Sequence, residues 1–102
     1  MASLYDLGEG VYIRGSFANP QTGAPMDPSA VTVRYLPPSY PAGLPIVKVY
    51  GTDPEVIHDS TGNFSLLLTA DEVGLWQFRW EGENVAPAIQ EGSFIVRRTD
   101  LA

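Results

Sequence analysis

The stretch Asp71-Glu-Val-Gly-Leu-Trp-Gln-Phe-Arg-Trp-Glu-Gly82 decides the fold of this chain, because its aromatic residues fall at every second position. Successive side chains of a β-strand point to opposite faces, so Trp76, Phe78 and Trp80 are predicted to share one face. The three polar residues between and after them then share the other face. This alternation is typical of a half-buried antiparallel strand.

The same alternation recurs along the chain and predicts an all-β domain. Nine prolines and ten glycines interrupt the apolar runs, and no helical pattern of useful length survives between them. Besides the tryptophan strand, the predicted strands cover about residues 10–18, 31–35, 46–50, 56–58, 64–68 and 87–98. About seven short strands with frequent turn signals predict one immunoglobulin-like β-sandwich domain over residues 1–102.

Two details of the strands carry further predictions. In the last strand the apolar phase shifts from Ile89 to Phe94 and Val96, and a β-bulge near Glu91-Gly92 would explain that shift. Before the tryptophan strand, Asp71-x-x-Gly74-x-Trp76 occupies the place of the corner that immunoglobulin-like domains build around a tyrosine. We interpret it as a packing device in which the tryptophan bonds to backbone.

The segment Leu36-Pro-Pro-Ser-Tyr-Pro-Ala-Gly-Leu-Pro45 contains four prolines, which are too many for a paired strand. It is predicted to be an extended loop, either a simple crossover between the two sheets or a crossover that also contacts a partner. Tyr40 and Leu44 are the contact candidates in this proline-rich loop, since a stiff chain loses little entropy on binding.

Composition excludes several function classes. The formal net charge is −6 with only six basic residues, which argues against a nucleic-acid partner. Cysteine is absent, so neither a disulfide scaffold nor a thiolate metal site is expected, and assembly in a reducing cytoplasm is favoured. The first six residues carry no basic start or apolar run, and no segment approaches membrane-spanning length. We therefore expect neither a signal peptide nor a membrane partner.

No catalytic, cofactor or metal site is predicted. His58 is the single histidine, and a triad with Ser60 or Ser65 has no supporting motif such as a nucleophile elbow. Asp53, Glu55 and the neighbouring Asp59 lack the spacing of a calcium loop and are interpreted as acids that cap turns. An enzyme is therefore not expected.

Five stretches of the chain together resemble a family, the small immunoglobulin-like proteins encoded among the structural genes of tailed bacteriophages and prophages. These stretches are Tyr5–Gly8, Asp27–Val33, Asp59–Phe64, Gly74–Gly82 and Glu91–Phe94. The resemblance covers nearly the whole chain and implies an accessory virion protein, assembled in the host cytoplasm. Such a protein decorates the capsid or sits at the neck or tail. The proline-rich loop departs from the family, which we expect to have a short Asp-Gly turn there.

The leading hypothesis is therefore a non-enzymatic virion structural protein that binds capsid, neck or tail proteins. Its predicted contacts are the proline-rich loop, the arm from Met1 to Leu4, and the tail from Arg97 and Arg98 to Ala102. The first and last strands are candidate edges for pairing with another chain, including a homo-oligomer. The alternative is a carbohydrate- or host-surface-binding module, in which Tyr12, Tyr40 and Tyr50 stack on sugar rings.

Overall fold

Strands account for all the regular structure in the computed structural model of the protein, which describes residues 3–41 and 43–98. The strands are β1 (Ser3–Asp6), β2 (Gly10–Ser16), β3 (Val31–Leu36), β4 (Ile46–Val49), β5 (Val56–Ser60), β6 (Asn63–Thr69), β7 (Gly74–Gly82) and β8 (Ile89–Arg97). The predicted all-β class is confirmed, and each predicted strand is present. One strand, β1, was not predicted. Because β1 and β7 pair with the two sides of β8, the prediction that the last strand is an edge is wrong.

The strands form two sheets that face each other as a β-sandwich. The five-stranded sheet has the order β1-β8-β7-β3-β4, and the three-stranded sheet has the order β2-β6-β5. All paired strands are antiparallel except β1 and β8, which run parallel. The strand β7, which carries the tryptophans, lies at the centre of the larger sheet. This division of the strands is that of an immunoglobulin-like sandwich.

The core lies between the sheets and is filled as the alternation predicts. Trp76 and Trp80 are buried and Phe78 is half-buried, so the three aromatics of β7 face inward together. From the facing sheet, β2 contributes Val11 and Ile13, and β6 contributes its alternate apolar residues. Burial of each such large side chain is worth about 1.5–3 kcal/mol, which makes this interface the main source of stability.

The corner before β7 forms as interpreted from the sequence. The indole Nε1 of Trp76 donates a hydrogen bond to the backbone carbonyl of Glu72 at 3.1 Å. The ring stacks on Phe94 from β8, with 5.4 Å between the ring centroids. A tryptophan thus does here what the corner tyrosine does in immunoglobulin-like domains, because it joins an apolar ring to a polar donor that reaches backbone.

The predicted β-bulge in the last strand is wrong. The pairing of β7 with β8 runs without interruption from Gly74 opposite Val96 to Glu81 opposite Ile89. Ile89 points away from the core and is largely exposed, so its apolar character produced the apparent change of phase. Gly92 faces inward opposite Phe78, and the ring of Phe78 occupies the space that a Cβ atom would need.

The proline-rich loop is not a crossover between sheets. It joins β3 to β4, which are adjacent antiparallel strands of the same sheet. The chain passes to the other sheet one connection later, between β4 and β5. Prolines exclude a paired strand, but they do not determine which elements a loop connects, and this is why the prediction failed.

Candidate functional site

The outward side of the five-stranded sheet, here called the outer face, carries an apolar row across three strands. Leu4 of β1 is paired with Ile95 of β8, which is paired with Leu75 of β7. The three residues are 54%, 42% and 48% exposed. Side chains that are directly opposite on neighbouring strands lie in contact range, so the row is one continuous apolar surface.

A charged row runs parallel to the apolar row on the same face. Arg34 and Arg79 lie directly opposite each other on β3 and β7, and like charges in this position repel. Glu81 offsets that repulsion, with its carboxylate 2.8 Å from Arg34 Nε and 3.8 Å from Arg79 Nη1. Arg79 also donates to Glu91 at 2.8 Å, and this hydrogen bond raises the pKa of Arg79 above its usual range.

A shallow depression of about 790 Å³ lies over the charged row. Its floor is formed by Gln77, Arg79, Glu91 and Ser93, and the proline-rich loop borders it through Gly43 and Pro45. The depression therefore presents hydrogen-bonding groups on its floor beside the apolar row on the sheet. Such a pairing of apolar surface with a polar surround is typical of protein interfaces.

The proline-rich loop is fixed at its base and exposed at its tip. Pro37 is buried, Pro38 packs against Gly74, and the backbone N–H of Ser39 donates to the carboxylate of Glu72 at 2.9 Å. Two turns follow, closed by bonds from Tyr40 and Leu44 to the carbonyls three residues earlier. Both of these predicted contact residues are exposed.

The terminal contact candidates have different positions. Leu4 lies in β1 and belongs to the apolar row. Arg97 ends β8, where its Nε donates to Asp6 at 2.7 Å, so its guanidinium ties β1 to β8 instead of projecting freely. This bond raises the pKa of Arg97. Arg98 follows the strand and is exposed. Residues 1–2 of the predicted arm and 99–102 of the predicted tail lie outside the described residues.

The three tyrosines of the carbohydrate hypothesis do not come together. Tyr12 lies on the outward side of the three-stranded sheet, and Tyr40 lies in the proline-rich loop. Tyr50 packs against Phe64 with 5.2 Å between ring centroids. Tyr12, Tyr40 and Tyr50 are all within the described part of the chain, and no ring contact joins any two of them. The aromatic platform that stacking on a sugar requires is not formed.

The polar groups that could suggest chemistry serve turns and strand ends. His58 Nε2 lies 2.9 Å from Asp27 Oδ1, whereas Ser65 donates to Asp59 at 3.0 Å, so no histidine–serine pair forms. Asp53 accepts the backbone N–H of Val49 at 2.8 Å, which confirms its interpretation as a turn-capping acid. Within residues 3–41 and 43–98, no three metal-ligating side chains cluster, and no helix is long and apolar enough to cross a membrane.

Sequence reasoning missed most of the apolar row. The alternation that turned Trp76 inward also turns Leu75 outward, so the signal for Leu75 was present. Ile95 lies between the inward Phe94 and Val96, and an apolar residue in such a position is easily interpreted from the sequence as part of the core. Leu4 joins the row because β1 pairs in parallel with β8. The four residues of β1 are too few to predict that pairing from the sequence.

Comparison with known proteins supports the fold and indicates no activity. No protein-family model and no curated protein matches the chain. Among solved structures, the chain is similar to a "putative glycoside hydrolase" from Bacteroides vulgatus, with a TM-score of 0.56 and 11% identity over 95% of this chain. The match covers 16% of that larger chain. At this identity the similarity indicates a shared β-sandwich architecture.

Proposed function

We propose that this chain is a non-enzymatic structural module that binds other proteins through the outer face of its five-stranded sheet. The observation that carries the proposal is the exposed apolar row of Leu4, Ile95 and Leu75, which the strand pairing holds in register. The charged row and the exposed tip of the proline-rich loop flank it. An apolar centre with a polar surround is the arrangement that protein interfaces use.

The small binding free energy expected for this contact favours attachment at many identical sites. Burial of the three half-exposed side chains of the apolar row contributes about 1 kcal/mol each, on the order of 3 kcal/mol in total. If no other contact is made, this binding free energy corresponds to an affinity weaker than millimolar. Tyr40 and Leu44 add area, and attachment at many identical sites multiplies the effect without new contacts. A module of this kind suits a symmetric particle better than a solitary partner.

The sequence resemblance supports a tailed-phage virion as the setting. In that setting the chain assembles in the host cytoplasm and binds capsid, neck or tail proteins. The absence of cysteine agrees with assembly in a reducing compartment. The two positions in the particle differ in copy number, since a shell site is repeated hundreds of times and a neck ring about a dozen times.

The test is quantitative mass spectrometry of virions purified from a host strain that carries the gene. Hundreds of copies per particle support decoration of the shell, and about six to twelve copies support a neck or tail position. Absence of the chain from the particles overturns the proposal. Variants in the apolar row then show whether the outer face is the attachment surface.

A second candidate function is carbohydrate binding at the depression on the outer face. Gln77, Glu91 and Ser93 offer hydrogen-bonding groups there, and the structural neighbour is described as a glycoside hydrolase. The separated tyrosines count against it. Isothermal titration of the isolated chain with a panel of oligosaccharides distinguishes the two functions, because saturable binding that Gln77→Ala abolishes would favour the carbohydrate module.

A further inference from the structure

The strand β2 has an open edge. It pairs only with β6 among the described residues. In an antiparallel pair, alternate residues direct their backbone N–H and C=O groups toward the partner strand. Phe17 N donates toward the β6 side, to Gly62 O at 2.7 Å, so the odd-numbered residues face β6. The backbone groups of Gly10, Tyr12 and Arg14 therefore point away from the sheet.

Both ends of this edge are closed by the protein itself. At one end the side-chain amide of Gln90 bonds to both Ser16 N and Ser16 O, as a neighbouring strand would. Ala18 next exchanges two backbone hydrogen bonds with Ala86. At the other end Gly8 turns the chain with a φ of 96°. The open edge is thus the five residues from 10 to 14, centred on Tyr12.

The other edge strands are protected in the ways that prevent edge pairing. The strands β1 and β4 are only four residues long, and β4 directly follows the proline-rich loop. The strand β5 has an irregular register between His58 and Ser60. By contrast β2 is seven residues long, regular throughout its pairing, and free of proline.

We infer that β2 pairs antiparallel with β2 of a second copy of this chain, with Tyr12 opposite Tyr12 across a two-fold axis. In this register Gly10 lies opposite Arg14 of the second copy, and each such pair exchanges two backbone hydrogen bonds. The two three-stranded sheets become one continuous six-stranded sheet. A two-fold axis requires a self-complementary surface, and a segment of open backbone centred on one residue has this property.

The side chains fit this register. Arg14 lies opposite glycine, not opposite its own copy, so the two guanidinium groups do not face each other. In each chain Arg14 lies 5.3 Å from the ring of Tyr12, and Leu67 is paired with Tyr12 on the same side of the sheet. Across the axis the two tyrosines form a cross-strand aromatic pair. A shift of two residues would place Ser16, which Gln90 already bonds, in the pairing.

The inferred dimer goes beyond the proposed function and does not depend on it. The pairing uses the edge of the three-stranded sheet, so the outer face of the five-stranded sheet stays free for other proteins. The contact is small, and we expect a weak dimer in solution that repeated attachment to a particle would strengthen. The dimer would double the number of outer faces that one attached unit presents.

Site-directed cross-linking tests the register, since the chain has no cysteine of its own. Residues opposite each other in a hydrogen-bonded antiparallel pair have Cα atoms about 5.5 Å apart, which a disulfide spans. Tyr12→Cys is therefore expected to form a disulfide dimer at least about tenfold faster than Leu67→Cys. Leu67 is the matched control, because its two copies would lie about 14 Å apart, three strand spacings.

Hydrogen exchange of the wild-type chain tests the pairing without a mutation. The amides of Gly10, Tyr12 and Arg14 should exchange rapidly in dilute solution and become protected as the concentration rises, whereas those of Val11 and Ile13 stay protected throughout. Sedimentation velocity over the same concentrations should show a monomer–dimer equilibrium. A strictly monomeric chain, with equal cross-linking of the two cysteine variants, would overturn the inference. A dimer whose even-numbered β2 amides gain no protection would overturn it as well.

Discussion

Trp80 of β7 packs directly against the backbone of Gly15 of β2, across the interface between the two sheets. A Cβ atom at Gly15 would lie 2.7 Å from Cδ2 of the indole, closer than atoms can pack without displacement. Trp80 is fully buried, so its ring has no solvent-filled space into which it can move. The largest fully buried side chain therefore depends on the smallest residue of the facing strand.

Gly15→Ala is expected to destabilise the protein by about 1–3 kcal/mol, because overpacking a well-filled core forces side chains or backbone to shift. The measurement is chemical denaturation followed by tryptophan fluorescence. Gly10→Ala in the same strand is the matched control, since its new methyl group would meet only the flexible end of Leu67 at 3.2 Å. Equal denaturation midpoints for the two variants would contradict the packing argument.

Stability should depend on pH through Asp27. Its carboxylate accepts the backbone N–H of Gly62 at 2.6 Å and lies 2.9 Å from His58 Nε2. These contacts, the Gly62 bond first, hold the pKa of Asp27 below its ordinary value of about 3.9. A lowered pKa in the folded state stabilises the protein above the unfolded-state pKa, and this stabilisation is lost as the pH falls through the folded-state pKa.

We therefore expect Asp27→Asn to lower stability at pH 7, and the difference from wild type to shrink below about pH 4. Denaturation midpoints of both proteins between pH 7 and pH 2 measure it. His58→Ala keeps the Gly62 bond, the larger cause, and should retain most of the pH dependence that Asp27 produces. A difference between wild type and Asp27→Asn that is unchanged down to pH 2 would exclude the lowered pKa.

Glu81 is expected to matter more than its exposed neighbour Glu91, because it lies between two arginines that face each other. Glu81→Gln removes the only carboxylate that contacts both Arg34 and Arg79 among the ion pairs of the described residues, whereas Glu91→Gln removes a partner from Arg79 alone. At low salt the denaturation midpoint of Glu81→Gln should be lower than that of Glu91→Gln. The difference between the two midpoints should narrow in about 1 M salt, where charges are screened. A gap independent of salt would show that the effect is not electrostatic.

The fold could be predicted from the sequence wherever side chains alternate. The inward set of β7 and the corner at Trp76 follow from local spacing, since a strand buries every second residue. The bulge was wrongly predicted because an exposed Ile89 and a change of phase give the same apolar pattern. Only the partner strand distinguishes these cases, and the pairing of Glu81 with Ile89 is not encoded locally.

The candidate site was less accessible to prediction, because it depends on neighbours that are distant in the chain. Leu4 was selected as part of a terminal arm, but its contact with Ile95 arises from a parallel pairing across some ninety residues of sequence. Arg97 was selected as part of a tail that contacts partners, and Asp6 of the same pairing binds it. Tyr40 and Leu44 are exposed as expected, since the prolines beside them exclude a paired strand.

The apolar row can be tested with one substitution and a matched control. Leu75→Lys places a charge within the row and, under the proposed virion role, is expected to reduce incorporation into virions at least about tenfold, since burying an unpaired charge in an interface is costly. Stability should change by no more than about 0.5 kcal/mol, because the side chain is already exposed. Incorporation is measured by mass spectrometry of purified particles, and stability by denaturation.

Ile57→Lys is the control, because Ile57 lies on the outward side of the other sheet and is 49% exposed, against 48% for Leu75. It changes the net charge equally and leaves the outer face intact, so incorporation should match wild type. The double variant Tyr40→Ser, Leu44→Ser separates the loop from the sheet, and an intermediate loss would show that both contribute. Equal losses for Leu75→Lys and Ile57→Lys would mean that added charge, not the apolar row, determines attachment.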